Sequence, residues 1–338
     1  MEIRRFTKMK TAIAILNWNG EKLLPQFLPS VINNSKNAVI YVIDNASTDK
    51  SIELLKTQFP TVNIIQNKGN YGFAQGYNEG LKHIDAEYFC LLNSDVEVTE
   101  NWIEPIEKLF ESNSDIAAIQ PKILDYKDKK MFEYAGAGGG FIDKFGYPFC
   151  RGRVFSTLEE DKGQYNDTIQ IFWATGASLF IRKKDFFDKN GFDEEFFAHM
   201  EEIDLCWRLN NAGRKVFYCG ESTVYHLGGA TLDKANPKKW YLNYRNSLWM
   251  LLKNLPSNKL FTTIFTRLSL DGVAAIAFLP KQGFSHVWAV FISHMHFYRG
   301  FYKMYKKRQK IQRKDYSNTG LLPMQYFIKK RQYFKDLK

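Results

Sequence analysis

Two glutamates stand side by side in the segment HMEEIDLCWRLNN, as Glu201 and Glu202, and Asp204 follows two residues later. Adjacent carboxylates repel one another, so most such pairs are solvated surface residues. A carboxylate in apolar surroundings instead has a raised pKa and can accept a proton near neutral pH. These three residues are therefore the candidate catalytic group, with one of the glutamates as a general base.

The phase of the predicted helix separates the carboxylates. At about 100° per residue, Glu201 shares a polar face with Asp204 and Arg208, which form an i,i+4 pair of opposite charge. Glu202 falls on an apolar stripe, which favours it as the residue with the raised pKa. The stripe consists of Leu205, Cys206 and Leu209. In the competing interpretation both glutamates only stabilise the helix N-terminus through the macrodipole, and the sequence leaves both interpretations open.

The N-terminal part of the chain contains four predicted strands, which must position the remaining polar residues. They read TAIAILNW, AVIYVIDNAS, TVNIIQN and EYFCLLNSDV, and predicted helices alternate with them. This alternation predicts βαβ units and a mostly parallel sheet with helices on both faces. In such a sheet, ligands bind beyond the carboxyl ends of the strands. The residues from about 121 to 170 are glycine-rich, and we expect mainly loops there.

The residue types at these strand ends suit a nucleotide with a diphosphate. Asp44 can accept hydrogen bonds from a nucleobase or a ribose, and Asp95, in Asn93-Ser94-Asp95, can hold Mg²⁺ or Mn²⁺ on a diphosphate. The glycines of NYGFAQG allow the backbone to approach a ring or a phosphate. Turns also favour Asn, Asp and Gly, so each strand end taken alone is explained by its turn. The sequence has neither GxxxxGK[ST] nor GxGxxG, which argues against ordinary NTPases and dinucleotide-binding enzymes.

The order of the motifs resembles one enzyme family. NWNG, VIDNASTD, NYGFAQGYNEG, LLNSDV, TGASLFIRKKDF and the segment from GFDEEFF to VYH are together similar to the family 2 inverting glycosyltransferases, in their rhamnosyltransferase-like branch. The resemblance covers residues 11–254. It implies an α/β GT-A fold with a Rossmann-like, mostly parallel sheet. It also implies a nucleotide-diphosphate-sugar donor, a divalent cation (Mg²⁺ or Mn²⁺) and direct displacement with inversion.

The resemblance also implies roles for individual residues. Glu202 occupies the place of the base, but the family usually has aspartate there, so Glu201 stays an alternative. His226 in VYH matches a histidine that often completes the metal site with Asp95, although a lone histidine at a strand end is more often structural. The donor-binding set is Asn17, Asp44, Asn70, Gly72, Asn93, Ser94, Asp95 and Arg245.

Two of these assignments have structural alternatives of about equal weight. WATGASLFI is expected to line the acceptor side through Trp173, Thr175 and Gly176, with Trp173 stacked on a sugar or else packed in the core. Arg245 lies where the family often has Arg-Asn. It is expected on the diphosphate, or else on a solvated helix surface.

The positive charge of the chain is concentrated at its C-terminal end. From Lys281 onward, fourteen Lys and Arg stand against two acidic residues, a net +12, whereas the rest of the chain carries −1 of the total of +11. This distribution argues against a nucleic-acid groove in the main part. It predicts attachment to an anionic membrane surface through the C-terminal tail, which follows aromatic-rich, basic helices, with a helical cap or a homodimer contact as alternatives. We therefore divide the chain into a transferase domain, 1–254, and a basic helical extension, 255–338.

The expected location is the cytoplasm, at the inner face of the plasma membrane. The four cysteines show no CxxC spacing, which favours a reducing compartment. We recognise no signal peptide, and no run of about eighteen uninterrupted apolar residues that would predict an ordinary transmembrane helix.

The sequence thus predicts an enzyme that moves a sugar from a dTDP-, UDP- or GDP-linked donor to a glycan or lipid-linked acceptor in cell-surface polysaccharide synthesis. Rhamnose is the family-level candidate. The first alternative, a sugar-phosphate nucleotidyltransferase, needs a glycine- and arginine-rich loop after the first strand, which LNWNGEKLL does not supply. The second, a non-catalytic nucleotide- or glycan-binding protein, does not require Asp44, Asp95, Glu202 and His226 together.

Overall fold

Strands and helices alternate through the first part of the chain, as predicted. The structure is a computed structural model that describes residues 10–228 and 236–337, so residues 1–9, which belong to the segment relevant to a signal peptide, lie outside it. The order is β1 (Thr11–Asn17), α1 (Leu24–Asn34), β2 (Ala38–Asp44), α2 (Ser51–Gln58), β3 (Asn63–Gln66), α3 (Gly72–Leu81), β4 (Tyr88–Asn93), β5 (Val96–Val98), α4 (Glu104–Ser112) and β6 (Ile116–Asp125).

Nine strands of the described residues form the main sheet. β1 lies between β2 and β4 and is parallel to both, and β3 is parallel to β2. Beyond β4 the order is β12 (Ser178–Arg182), β6 and β13 (Lys215–His226). β12 is antiparallel to both β4 and β6, and β13 is parallel to β6. β11 (Thr168–Ile171) and β5 pair with β13 in antiparallel fashion. The predicted α/β fold is confirmed.

Both faces of the main sheet are buried, because the side chains of each central strand alternate between two apolar clusters. In β1, Ala12 and Ala14 belong to one cluster and Ile13 and Ile15 to the other. Successive residues of a strand point to opposite faces, so a strand that is apolar throughout must be covered on both sides.

The glycine-rich region contains a second sheet where we expected mainly loops. Its strands are β7 (Gly140–Ile142), β8 (Pro148–Cys150), β9 (Arg153–Val154) and β10 (Thr157–Leu158), in consecutive antiparallel order. Gly146 and Gly152, at the two tight turns on either side of β8, have φ of 80° and 84°. Glycine adopts these left-handed values without strain, so the composition that suggests loops in fact builds hairpins.

Helices dominate the rest of the chain. They are α5 (Lys183–Asp188), α6 (Glu201–Asn211), α7 (Pro237–Asn254), α8 (Ser257–Gln282) and α9 (Phe284–Lys306). α7 packs against α6, α8 and α9. The predicted domain boundary at 254/255 therefore falls between two helices, α7 and α8, that pack against each other. The four cysteines are buried and unpaired.

The basic segment after α9 returns to the protein. The Tyr316 hydroxyl donates to Lys144 O at 2.7 Å, and Leu322 N donates to Asp143 Oδ2 at 2.7 Å. Tyr326 packs with Leu322 in an apolar cluster on the second sheet. Tyr316, Leu322 and Tyr326 therefore hold this segment against the second sheet and the loops beside it.

α8 is the one helix among the described residues that is long and apolar enough, by length and composition, to cross a membrane. The sequence predicts none, because single charges interrupt the apolar run.

Gly80 allows α3 to lie directly on β2. A Cβ on Gly80 would come within 2.5 Å of the Ile43 side chain. We expect Gly80→Ala to lower the free energy of unfolding by about 1–3 kcal/mol, because the core must be overpacked to admit it. Urea unfolding followed by circular dichroism measures the change.

Gly272, inside α8, is the matched control. Nothing lies within 4 Å of a Cβ placed there. Gly272→Ala should therefore stabilise the protein by about 0.5–1 kcal/mol through helix propensity. Equal effects of the two substitutions would contradict the close approach of α3 to β2.

Candidate active site at the strand ends

Asn17 and Asp44 end the neighbouring strands β1 and β2 and bind each other. They are opposite one another in the strand register, and Asn17 Nδ2 donates to Asp44 Oδ1 at 2.9 Å. Ser47 N donates to the other Asp44 oxygen at 3.0 Å. Asn17 Oδ1 is buried without a hydrogen-bond partner among the described residues, and a Cβ on Gly20 would come within 2.1 Å of it. Gly20 thus keeps space open beside an unused acceptor atom.

Two asparagines tie the start of α3 to the ends of β2 and β3. Asn67 Nδ2 donates to Asn45 Oδ1 at 2.7 Å and to Gly76 O at 3.1 Å, and Asn45 Nδ2 donates to Gly72 O at 2.8 Å. Asn70 Oδ1 accepts from Gly72 N at 3.0 Å. Asn70 and Gly72 are predicted from the sequence, whereas their two supports, Asn45 and Asn67, are not. The signal for those supports is their position directly after a strand.

Asp95 and His226 meet because β13 ends beside β5, with His226 opposite Val96 in the register. His226 Nε2 lies 3.2 Å from Asp95 Oδ1 and 3.4 Å from Asn93 Nδ2. Ser94 occupies the turn between β4 and β5. The structure thus brings together two residues that are 131 positions apart in the sequence.

Glu133 lies at the other nitrogen of the His226 ring. Its Oε2 is 3.5 Å from His226 Nδ1, and both side chains are buried. Burial alone would lower the pKa of His226, but hydrogen bonding to Asp95 and Glu133 and their charges raise it to about 10. Glu133 is not predicted from the sequence, because it belongs to the glycine-rich stretch FEYAGAGGG.

The Asp95–His226 pair fits a divalent cation. Two ligands at about 2.1 Å from an octahedral Mg²⁺ lie about 3.0 Å apart, close to the observed 3.2 Å. A carboxylate at the second imidazole nitrogen is the usual outer partner of a metal-bound histidine, and Glu133 occupies that place. No group of three or more His, Cys, Asp or Glu in residues 10–228 and 236–337 forms a complete metal site. Substrate oxygens and water would have to supply the remaining ligands.

The loop before α6 has a strained backbone and is bound to α3. Phe197, His199 and Met200 have φ of 63°, 70° and 72°. Each such non-glycine residue costs about 1–3 kcal/mol. Phe197 O accepts hydrogen bonds from Phe73 N at 2.8 Å and Ala74 N at 3.2 Å, at the first turn of α3. The loop that precedes the glutamates is therefore fixed to the helix that carries Gly72.

Asn246, on α7, holds the same loop from the other side. Its Nδ2 lies 2.8–3.0 Å from three carbonyl oxygens, those of Phe196, Ala198 and His199. The predicted donor residue Arg245 also donates to this loop, at Phe196 O, and its guanidinium stacks on Trp249 with 4.2 Å between the carbon and the ring centroid.

The two glutamates open α6 and are both largely shielded from water. Glu201 is buried and Glu202 is half-buried, and each has an Oε2 atom with no hydrogen-bond partner among the described residues. Burial, followed by the charge of Glu202, raises the pKa of Glu201 well above its usual range. Burial raises the pKa of Glu202 to about 7. A carboxyl with that pKa can accept a proton at neutral pH.

Asp204 has a different environment. Its carboxylate accepts from Arg208 Nε at 2.8 Å, Lys253 Nζ at 2.7 Å and Asn254 Nδ2 at 2.8 Å. Burial would raise the pKa of Asp204, but the charges of Lys253 and Arg208 hold it below its usual value. The predicted polar face of α6 exists, but it is buried against α7. Glu201 is therefore more buried than Glu202, contrary to the expectation from helical phase.

The predicted acceptor residues are packed inside the protein. Trp173 is buried and its indole N–H donates to Phe141 O at 2.8 Å, which favours the core interpretation. Thr175 N donates to Gln120 Oε1 at 2.9 Å, and a Cβ on Gly176 would come within 2.9 Å of Phe73.

The model of glycosyl transferase family 2 matches residues 12–186, about half of the chain. The chain belongs to glycosyl transferase family 2. The match covers the strand ends with Asp44 and Asp95, and it ends before α6. Membership identifies this protein as a glycosyltransferase, and it does not favour the nucleotidyltransferase alternative.

Two named relatives agree with the assignment. The chain is 26% identical to rhamnosyltransferase WbbL of Escherichia coli K12, over 61% of this chain and 79% of WbbL. It is 24% identical to N-acetylglucosaminyl-diphospho-decaprenol L-rhamnosyltransferase of Mycobacterium tuberculosis, over 60% of this chain and 71% of the relative.

The fold is similar to that of GalNAc-T7, solved with UDP, GalNAc and Mn²⁺, with a TM-score of 0.56 and 17% identity. The similarity covers 75% of this chain and about half, 49%, of the GalNAc-T7 chain. The GT-A architecture that the motifs predict is thus confirmed, as is the membership of family 2.

Asn246→Asp should loosen the loop before the glutamates. The substitution replaces a donor with a carboxylate that faces three carbonyl oxygens, and a lost buried hydrogen bond costs about 1–3 kcal/mol. We expect amide hydrogen exchange of residues 196–200 to accelerate by about tenfold or more.

Asn243→Asp is the control on the same helix, since its amide donates to one carbonyl, Lys239 O. It should leave exchange in the loop unchanged. Unchanged exchange in the Asn246 variant would show that the loop holds its conformation without the clamp.

Proposed function

We propose that this glycosyltransferase moves a sugar, with rhamnose as the first candidate, from a nucleotide-diphosphate donor to a lipid-linked glycan acceptor, with inversion. The observation that carries the proposal is the half-buried Glu202, whose pKa is about 7, at the start of α6. The loop before it is fixed to the donor side of the fold through Phe197 and Phe73. A base and a donor site that are rigidly connected are what direct displacement requires.

The proposed reaction is a single displacement. The acceptor hydroxyl oxygen attacks the anomeric carbon while its proton passes to the Glu202 carboxylate. The bond between that carbon and the diphosphate oxygen breaks, and the nucleoside diphosphate leaves with the electron pair. Attack opposite to the leaving group inverts the anomeric centre. Glu201 is the alternative base. The negative charge of one glutamate would favour protonation of the other. Asp204 would serve both by fixing α6 to Lys253 on α7.

The strand ends are the proposed donor site. Asn17 Oδ1 and the Asp44 carboxylate would accept hydrogen bonds from the nucleoside, since the former has no partner among the described residues and the latter is oriented by Asn17 and Ser47. Asp95 and His226 would hold a divalent cation, which offsets negative charge on the leaving diphosphate. Glu133 would keep the His226 ring oriented with Nε2 toward that cation.

The relatives support a proposal for the acceptor and the location. The mycobacterial enzyme is named for a decaprenol-diphosphate acceptor, which supports a polyprenyl-diphosphate glycan as the acceptor of this protein. Such an acceptor is anchored in a bilayer, so we propose that the enzyme works in the cytoplasm, peripherally at the inner face of the plasma membrane.

Glu202→Gln should lower the transfer rate by about a hundredfold or more, because the amide cannot accept the proton. Transfer by the wild type should rise with pH through about 7 and then level off, because Glu202 acts only after it has lost its proton. Rates over a panel of dTDP-, UDP- and GDP-sugars measure both effects.

Glu201→Gln is the matched variant and should lose less than about tenfold while keeping the rise with pH. Full transfer by Glu202→Gln together with inactive Glu201→Gln would assign the base to Glu201 instead.

Metal binding can be tested without turnover. Titration calorimetry of Mn²⁺, and of UDP or dTDP with and without Mn²⁺, should give metal-dependent nucleotide binding that Asp95→Asn abolishes. Glu133→Gln should weaken Mn²⁺ binding by about 10–100-fold, since it removes the carboxylate behind His226.

Glu97→Gln, on β5 and paired with Lys129, is the control and should bind Mn²⁺ as the wild type does. Nucleotide binding that is indifferent to Mn²⁺ would contradict the metal site.

A further inference from the structure

The outer surface of α9 carries an apolar stripe with helical spacing. The stripe consists of Phe284, Trp288, Phe291, Met295, Tyr298 and Tyr302. All six side chains are exposed, Phe284 by 70% and Trp288 by 54%. Apolar residues that recur every three or four positions normally face a core, and a large exposed apolar patch marks an interaction site.

In the middle of α8 the charged side chains face the protein and the apolar side chains face outward, the reverse of a normal surface helix. Arg267 and Asp271, in the middle of the helix, are buried against the protein. Arg267 donates to Gly146 O at 3.0 Å. The opposite face carries Phe261, exposed by 80%, and Ile276, exposed by 73%. Because Arg267 and Asp271 face the protein, the middle of the helix presents an uncharged outer face.

The two helices form an antiparallel hairpin, turned at Gly283. Asp271 lies 3.5 Å from His294, and Arg308 donates to Ser257 at 3.2 Å at the open end. At the turn, Phe278, Leu279 and Phe284 are exposed beside the cation of Lys281. More exposed cations lie toward the open end. They are Arg299, Lys303, Lys306 and Lys310.

We propose that the outer face of the α8–α9 hairpin docks on the surface of an anionic lipid bilayer and lies within one leaflet. This inference rests on the proposed membrane location and replaces the C-terminal tail with the hairpin as the docking element. Aromatic and aliphatic side chains on one face, with Lys281 at the turn and further cations toward the open end, are the chemistry of an interfacial helix pair. The tail itself is occupied by its contacts with the second sheet and adjoining loops.

The buried charges of α8 decide between lying on a membrane and spanning it. A spanning α8 would have to withdraw Arg267 and Asp271 from their protein partners into hydrocarbon, at high cost. With the hairpin in one leaflet these contacts stay intact.

The hairpin is also connected to the catalytic loop. Lys303 on α9 pairs with Glu195, and Lys307 pairs with Asp193 at 2.6 Å, both just before the strained loop. Docking through the outer face of α9 would therefore hold the site of Glu202 close to the leaflet that anchors the acceptor.

The test is co-sedimentation of the full chain with vesicles of phosphatidylcholine that contain about 30% phosphatidylglycerol. The wild type should bind, and binding should weaken in high salt or on pure phosphatidylcholine. Ile276→Glu and the double variant Phe284→Glu/Trp288→Glu should each lower the partition coefficient by about tenfold or more, because they put charge where apolar side chains meet the leaflet.

Ile328→Glu is the matched control, since Ile328 is also exposed by 73% but lies outside the hairpin. It should bind vesicles within about twofold of the wild type. Circular dichroism verifies folding, and turnover with a water-soluble acceptor in vesicle-free solution should be equal in all variants. That assay separates the two proposals, because absent turnover with intact vesicle binding would contradict the proposed reaction alone.

Several outcomes would overturn the hairpin proposal. Binding by the hairpin variants at the wild-type level is one. A dimer in light scattering that Ile276→Glu dissociates, without vesicle binding by the wild type, would assign the face to a second copy of the chain. Retention of the wild type in the membrane after alkaline carbonate extraction would indicate a spanning helix.

Discussion

The backbone of residues 196–200 is the constraint on which the rest of the site depends. Three of its residues have left-handed backbone angles, so the surrounding structure must stabilise it. Two backbone amides at the start of α3 donate to the carbonyl of Phe197. The Asn246 side chain on α7 donates to the loop's other carbonyls, those of Phe196, Ala198 and His199. The proposed donor side, the proposed base and the C-terminal helices therefore meet in a single loop, and the position of the two glutamates is set by elements remote from them in sequence.

Sequence reasoning was sufficient where local pattern and chemistry agree. The alternation of apolar strands and helices predicts the fold, because strands covered on both faces leave few other arrangements. The resemblance predicts that Asp95 and His226 share a site, and the β5–β13 pairing brings them to 3.2 Å. The paired glutamates are recognisable from the sequence, because burial of two adjacent carboxylates disfavours their charged forms and raises their pKa values.

The sequence was insufficient wherever tertiary contacts decide. Helical phase finds the polar face of α6 but not that Lys253 buries it. Nothing local distinguishes a core Trp173 from one that stacks on a sugar, and Glu133 lies in a stretch whose composition suggests loops. The α8–α9 hairpin shows the same limit, since periodicity identifies an apolar stripe without indicating whether protein or lipid covers it.

The contacts of Lys253 have an evolutionary consequence. Its ammonium is buried between two carboxylates, 2.7 Å from Asp193 and 2.7 Å from Asp204. Loss of the lysine alone would leave each carboxylate with one cation instead of two, Lys307 at Asp193 and Arg208 at Asp204. Loss of either aspartate would leave the buried ammonium with one carboxylate. Substitutions at these three positions are thus expected to be strongly epistatic. Homologues that depart from this arrangement should have changed all three residues together, which makes the trio a marker of descent within the family.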